Sequence, residues 1–255
     1  MALAATALLI SIALLASSVV VSDVVRYRLP DGQAGFTDDF ANVPAGAEVL
    51  EAKLETGVID DDFDTQLEQF AEFARAGRDT EAMEFLQRPD FVDGVDRDGH
   101  TVLFAAAAGS PQLLQAVLNL NVDIHHRDNE GGTALLYAAG MDDYQSVFAL
   151  IEHGAEVNAD DHQGNTPLIY AVMGEKLSNV NLLIDKGVDI NHQDHRGATA
   201  LFYAVAKGND RIADRLMASG ADPHLAVQGK TPLRLAETLG HANIAAMLRA
   251  RGAIR

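Results

Sequence analysis

The chain has 255 residues, a formal net charge of −18 and 48% apolar residues, with neither cysteine nor tryptophan. That apolar content supplies a sizeable core, while the missing thiols exclude disulfides, cysteine-ligated zinc and thiol nucleophiles. Residues 1–199 carry 11 Lys+Arg against 33 Asp+Glu and residues 200–255 carry 8 against 4, so the acidic body repels phosphate backbones and nucleic acid is not an expected partner.

Residues 1–22, MALAATALLISIALLASSVVVS, hold no charged side chain. The run exceeds the 7–15-residue apolar core of a secretory signal and lacks its basic start, so it reads as a single-pass membrane anchor. Small residues at Ala16, Ser17, Ser18 and Ser22 keep a cleaved, exported form open as the alternative. Arg26 and Arg28 favour leaving the following side in the cytoplasm. Against that, VVRYRLPDGQAGFTDDF (24–40) reads as strand, Pro-Asp-Gly turn, strand. With Tyr27, Asp31, Gly32, Phe36 and Asp38 it resembles a small hairpin module found behind export signals in bacterial envelope proteins, which implies the periplasmic face. Residues 23–62 are therefore a short hairpin and an acidic linker, with one further strand around Val49 to Leu54.

Residues 63–95 contain two amphipathic helices. Leu67, Phe70 and Ala74 form one stripe, Gly77 breaks it, and Met83 and Leu86 resume it. Acidic residues are expected on the outer positions.

From residue 96 the sequence repeats. Thr101, Thr133, Thr166, Thr199 and Thr231 are spaced 32, 33, 33 and 32 apart, each with Gly two residues before and Leu two after. Alanine follows at Ala106, Ala138, Ala171, Ala204 and Ala236. The second half of each unit ends in a helix-terminating glycine, as in LIEHGAEVN and LIDKGVDIN, with Asn121 standing in where the left-handed cap needs a substitute. A period of 32–33 over five copies marks a stack of supersecondary units. Thr is expected to cap the first helix of each unit and Pro167 or Pro232 to fill its first turn.

This pattern resembles the ankyrin repeat, Asp-x-x-Gly-x-Thr-Pro-Leu-His-x-Ala-Ala followed by a second helix and Gly-Ala-Asp-Val-Asn, over residues 96–255. The resemblance implies an all-α solenoid of helix-turn-helix units with β-hairpin fingers. Residues 63–95 become its N-terminal cap and the last unit, rich in arginine, its C-terminal cap. The family's histidine after the leucine is replaced by Phe104, Leu136, Ile169, Phe202 and Arg234, so apolar packing is expected in place of its inter-unit hydrogen bonds. Tyr137, Tyr170 and Tyr203 read as a stacked internal ladder.

Chemistry is not expected. Equivalent positions in neighbouring units lie about 8–10 Å apart, whereas a tetrahedral metal needs ligand atoms about 2 Å from one point. Histidines at the fingers, including the pair His192 and His195, are thus read as solvated loop residues, with no metal or other cofactor. Asp142-Asp143 and Asp160-Asp161 are read as solvated carboxylates, poor general acids. Neither a phosphate-binding glycine loop nor a Gly-x-Ser-x-Gly elbow occurs. The resemblance implies a non-enzymatic monomer that binds a protein through its concave face. Carried onto this sequence, that face comprises Arg97, Asp98, His100, Asn129, Glu130, His162, Gln163, Asn165, His195 and Arg196 at the fingers. Ala108, Met141, Met173 and Lys207 belong to the inner helices. A second role implied by envelope members of the family is to stabilise or protect a periplasmic enzyme, for example in oxidative-stress defence.

Overall fold

The structure is a computed structural model that describes residues 24–28, 34–37, 48–53 and 63–253. The proposed anchor, 1–22, lies outside the described residues. Among them, no helix is long and apolar enough to cross a membrane. The chain divides into two compact units, 1–62 and 63–255.

The first unit contains a three-stranded antiparallel sheet in the order β2-β1-β3, built from β1 (Val24–Arg28), β2 (Ala34–Thr37) and β3 (Glu48–Lys53). Paired valines at the start of β1 suit a pleated backbone. Val25 lies opposite Thr37 and Arg28 opposite Ala34, so two strands pair where the sequence reading placed them, while the Pro-Asp-Gly turn between them lies outside the described residues. β3 covers the other edge of β1, with a register shift between Arg26 and Tyr27.

The second unit is a row of helices. α1 (Phe63–Arg75), α2 (Asp79–Phe85) and the single turn α3 (Pro89–Val92) form the first layer. Five pairs follow: α4 (Val102–Ala107) with α5 (Pro111–Leu118), α6 (Ala134–Gly140) with α7 (Tyr144–Glu152), and α8 (Pro167–Met173) with α9 (Leu177–Asp185). The last two are α10 (Ala200–Lys207) with α11 (Asp210–Ala218) and α12 (Pro232–Leu239) with α13 (Ala242–Ala250). Each pair packs internally and against its neighbours, inner helix on inner helix and outer on outer. Leu103, Leu135, Leu168, Leu201 and Leu233 are at most 2% exposed, and the five repeated alanines are as deeply buried. Small side chains there let adjacent helices approach, so no unit buries its core without a neighbour.

Capping follows the sequence only in part. Thr166, Thr199 and Thr231 accept the amide three residues on, and Pro167 and Pro232 open their helices. Thr101 and Thr133 make no side-chain cap bond. Asn121 has φ 63°, the left-handed conformation expected of a glycine substitute. The stripe assigned to α2 is shifted: Ala82 is buried and Met83 is exposed, because Phe85 turns inward to Phe70, Phe73 and Phe91 at centroid distances of 5.2–6.3 Å. This aromatic cluster closes the N-terminal end of the core.

Each finger is a tight turn closed by two backbone bonds. In the finger at Asp161 its amide donates to Asn165 O (3.1 Å) and Gly164 N donates to Asp161 O (2.9 Å). Successive fingers are stitched together by Asn129 N to Asp98 O, His162 N to Glu130 O and His195 N to Gln163 O, at 3.0, 2.7 and 2.9 Å. His126 and His192 add ring bonds through Nε2 to the carbonyls of Gly99 and Gly164, at 2.8 and 2.9 Å. Phe104, Leu136 and Ile169 are buried as the apolar reading expects, and hydrogen bonds between units are carried by other groups, the fingers among them.

Candidate functional site

Beneath each fingertip lies a carboxylate. Asp128, Asp161 and Asp194 are buried, which corrects the reading of Asp161 as solvated. Each accepts the phenol nine residues on: Tyr137 at 2.6 Å, Tyr170 at 3.0 Å and Tyr203 at 2.6 Å. Backbone amides of the same turn complete the shell, as from Glu130 and Gly132 to Asp128 at 2.9 and 2.8 Å. Burial pushes the Asp161 carboxyl up, but bonds from Asn165, Gln163 and Tyr170 outweigh it and leave the group below the usual carboxylate range. Burial and the bonded carboxylate together raise all three phenols, Tyr203 to about 12. A carboxylate so fully bonded, repeated in three successive units, is a structural rung and not an acid–base centre. The expected stacked ladder is present only in part: the three tyrosines are half-buried, and Tyr137 and Tyr170 meet edge to face at 5.9 Å. Their hydroxyl role was not anticipated.

Asp143 is likewise committed: it caps α7 by accepting from Gln145 N and Ser146 N.

The first repeat breaks the series. Nine residues after Asp96 stands Ala105, so no phenol covers the turn. The space left open is a cleft of about 420 Å³ between α1, the first finger, α4 and α6. Asp64, Glu68, Ala71 and Arg75 recur every three or four residues and present one face of α1 to it. Glu68 and Glu72 are exposed, as expected of acidic residues on the cap, while Asp64 is half-buried against the finger. The floor of the cleft includes Phe104, Ala105, Tyr137 and Met141. Arg97 reaches across to Asp64 through Nε, and its amide donates to Asp64 Oδ1 at 2.9 Å. The Arg97 side-chain bond is the main reason the Asp64 carboxyl lies below its ordinary value. His100 stands 3.4 Å from Asp96 and 3.5 Å from Asp128, its ring 5.2 Å from that of Phe104.

Four of the residues assigned to the partner-binding face, Arg97, Asp98, His100 and Met141, line this cleft. Asn129 and Asn165 are tied down, donating to Arg97 O at 2.8 Å and to Asp161 Oδ2 at 2.9 Å. Glu130, His162, Gln163, His195 and Arg196 are exposed along the later fingers. Met173 is 42% exposed at the end of α8, and Lys207 lies 3.9 Å from Glu175. Sequence reading missed Asp64, Glu68, Arg75, Phe104 and Tyr137, although the 64, 68, 71, 75 spacing carries the signal. Asp96, Asp98 and His100 could offer ligand atoms within 4.8 Å of one another, yet Asp96 Oδ1 is already bonded to the amides of Asp98 and His100. His192, the histidine singled out with His195, has Nε2 engaged with Gly164 O.

Family comparison places three copies of an ankyrin-repeat model on residues 70–161, 102–194 and 168–254. Among solved structures, an ankyrin repeat domain from Acinetobacter baumannii AYE is 28% identical, with a TM-score of 0.64 over 73% of this chain and 98% of that one. No match was found among curated proteins.

Proposed function

The chain belongs to the ankyrin-repeat family, whose units imply a protein-interaction module; on that premise we propose that it is a non-enzymatic adaptor gripping one protein partner across its fingers and inner-helix ends. The observation that carries this is the division of polar groups between two layers. Rung carboxylates beneath the fingers are bonded and buried, whereas Glu130, His162, Gln163, His195 and Arg196 above them are exposed. Met141 and Met173, 41% and 42% exposed, add adaptable apolar contact beside them. Such a surface can be read by a partner without disturbing the bonds that hold the stack.

Residues 1–22 tether the module to a bacterial membrane, with the repeats on the periplasmic side. The uncharged run of bilayer length supports the tether. The hairpin after it supports the side.

Two measurements test these statements. Full-length protein is used to capture partners, alongside a variant with His162, His195 and Arg196 changed to Ala. The variant keeps its helical signal and retains less of the same partner; equal retention defeats the assignment of the fingers. In carbonate-washed membranes the chain stays in the pellet, and its release into the supernatant defeats the tether.

A further inference from the structure

Resting on the concave-face reading, we propose that the cleft beneath the first finger receives a cationic partner segment with an apolar side chain between its basic residues. Charge gives the first reason. Four carboxylates and two guanidiniums line the cleft. Arg97 is bonded to Asp64, and Arg75 turns Nε to Ala71 O of its own helix at 3.0 Å. Asp96 has one oxygen committed to turn amides. Glu68 and Asp98 are exposed, and no described cation pairs with either. The cleft is thus net negative at its rim, with two carboxylates standing on opposite walls, α1 and the finger.

Apolar lining gives the second reason. Phe104, Tyr137 and Met141 form the floor between those carboxylates. An inserted aliphatic or aromatic side chain gains burial there, and a flanking Lys or Arg meets ring faces as well as carboxylates. At about 420 Å³ the cleft has room for one or two side chains. It fits a protruding strand of a partner and not a folded face. Later units close this space with Tyr137, Tyr170 and Tyr203, and Glu130 is the single exposed carboxylate at their tips, beside asparagine, histidine, glutamine and arginine, with no second carboxylate facing it from a cap helix. A cationic segment therefore has reason to engage here and not further along.

The missing tryptophan makes a clean assay possible. The probe is the peptide acetyl-Gly-Lys-Trp-Lys-Leu-Lys-Gly-amide, with a counterpart carrying Glu for each Lys, titrated with full-length protein in detergent at low and high salt. The Lys peptide shifts its emission to the blue on binding and weakens with salt; the Glu peptide does not bind. Glu68→Gln and Asp98→Asn keep shape and exposure, and each weakens binding about two- to fivefold, the scale of an exposed ion pair. Ala105→Tyr gives the first unit the ring its neighbours carry and weakens binding at an unchanged helical signal, although His100 beside Asp96 must shift to admit it; the Glu68 and Asp98 variants decide the matter if that protein fails to fold. Equal binding of the Glu peptide, no binding of the Lys peptide, or unchanged affinity in both neutralised variants overturns the proposal. If the Lys peptide responds to the substitutions at His162, His195 and Arg196 but not to those at Glu68 and Asp98, this cleft is wrong and the concave-face reading stands. If partner capture also ignores every finger substitution, both fall.

Discussion

Gly174→Ala tests how closely the inner helices must approach. Gly174 caps α8 with ordinary right-handed backbone, φ −77°, so conformation alone does not demand glycine. A Cβ built there falls 3.0 Å from the carbonyl carbon and 3.1 Å from Cα of Gly140, and closer again to the carbonyl oxygen. Carbon contacts settle at about 3.5–4.0 Å, so α6 and α8 must separate by roughly 0.5–1 Å. These two make the most extensive inner-helix contact of the stack. Overpacking of this kind costs about 1–3 kcal/mol, against about 0.4–1 kcal/mol returned by the stiffer unfolded chain. The mid-range values leave a net loss of about 1.3 kcal/mol, or roughly 3–5 °C in Tm for a domain of this size. Because it falls on one junction, the urea transition should also broaden as the units on either side uncouple. Gly140→Ala is the control: its Cβ would meet Tyr170 O and ring at ordinary distances of 3.6 and 3.7 Å. It should be neutral or stabilising by up to about 1 kcal/mol. Thermal and urea unfolding followed by circular dichroism decide between them. A Gly174→Ala protein as stable as the parent, or less perturbed than Gly140→Ala, would refute the packing argument.

Three further outcomes follow from the rungs and caps. Among the described residues, Tyr137→Phe leaves Asp128 Oδ2 with only His100, 3.5 Å away, whereas Tyr170→Phe leaves Asp161 Oδ2 still bonded to Asn165. Tyr137→Phe should therefore cost more of the roughly 1.5–3 kcal/mol that a bond to a charged group carries; the reverse order in urea melts would show that Asn165 contributes nothing. Since the rung phenols have folded values above the unfolded value of about 10, their stabilisation is complete below pH ~10 and drains as pH rises through about 12 at Tyr203. Absorbance titration should show a late phase that disappears on replacing Tyr137, Tyr170 and Tyr203 by Phe, and ordinary titration of every phenol would contradict the rungs. Gly187→Val should cost at least about 1–2 kcal/mol, since φ 81° disfavours a β-branched residue although no atom lies within 4 Å of its Cβ; an unchanged melting temperature would mean that the cap tolerates side chains.

What could be read from sequence was whatever is local and periodic. Helix starts, the αL cap at Asn121 and the buried leucines all follow from residues within one unit. Groups whose setting depends on a residue outside their own turn were read less well. Asp161 looks solvated in a turn because polar residues surround it in sequence, yet Tyr170 folds over it from the next helix. The Asp-to-Tyr spacing of nine in three successive units was available as a signal, and it needed the turn geometry to become a hydrogen bond. Asn179 is similar: on α9 it looks like one polar residue in an apolar stripe. Buried, it donates to the carbonyls of Ala139 and Met141 at 3.0 and 2.8 Å, satisfying the end of α6 in the preceding unit. Met83 and Phe85 exchanged roles because an aromatic cluster, once seeded by Phe70 and Phe91, captures the larger ring.

The cap helix α1 shows why recognition and stability can be separated at the end of a repeat array. Leu67, Phe70 and Ala74 are its buried stripe and close the core that the first repeat would otherwise expose. Asp64, Glu68, Ala71 and Arg75 are a second stripe, offset around the same helix, and they meet the first finger across open space. In an interior unit the corresponding space is taken by a tyrosine whose hydroxyl is bonded to the turn aspartate, so any substitution there disturbs the stack. At the first unit Ala105 leaves the aspartate of its turn without that ring, and side chains on α1 face a cleft in place of a core. Neutralising Glu68 therefore removes a charge that has no ion pair among the described residues, while truncating Phe70 opens the end of the core. Changes in the first stripe come at the expense of folding, whereas Glu68 in the second can change without touching the Asp64–Arg97 bonds that tie α1 to the finger, which makes the capped end, with its own helix and the absent rung, a natural place for specificity to reside.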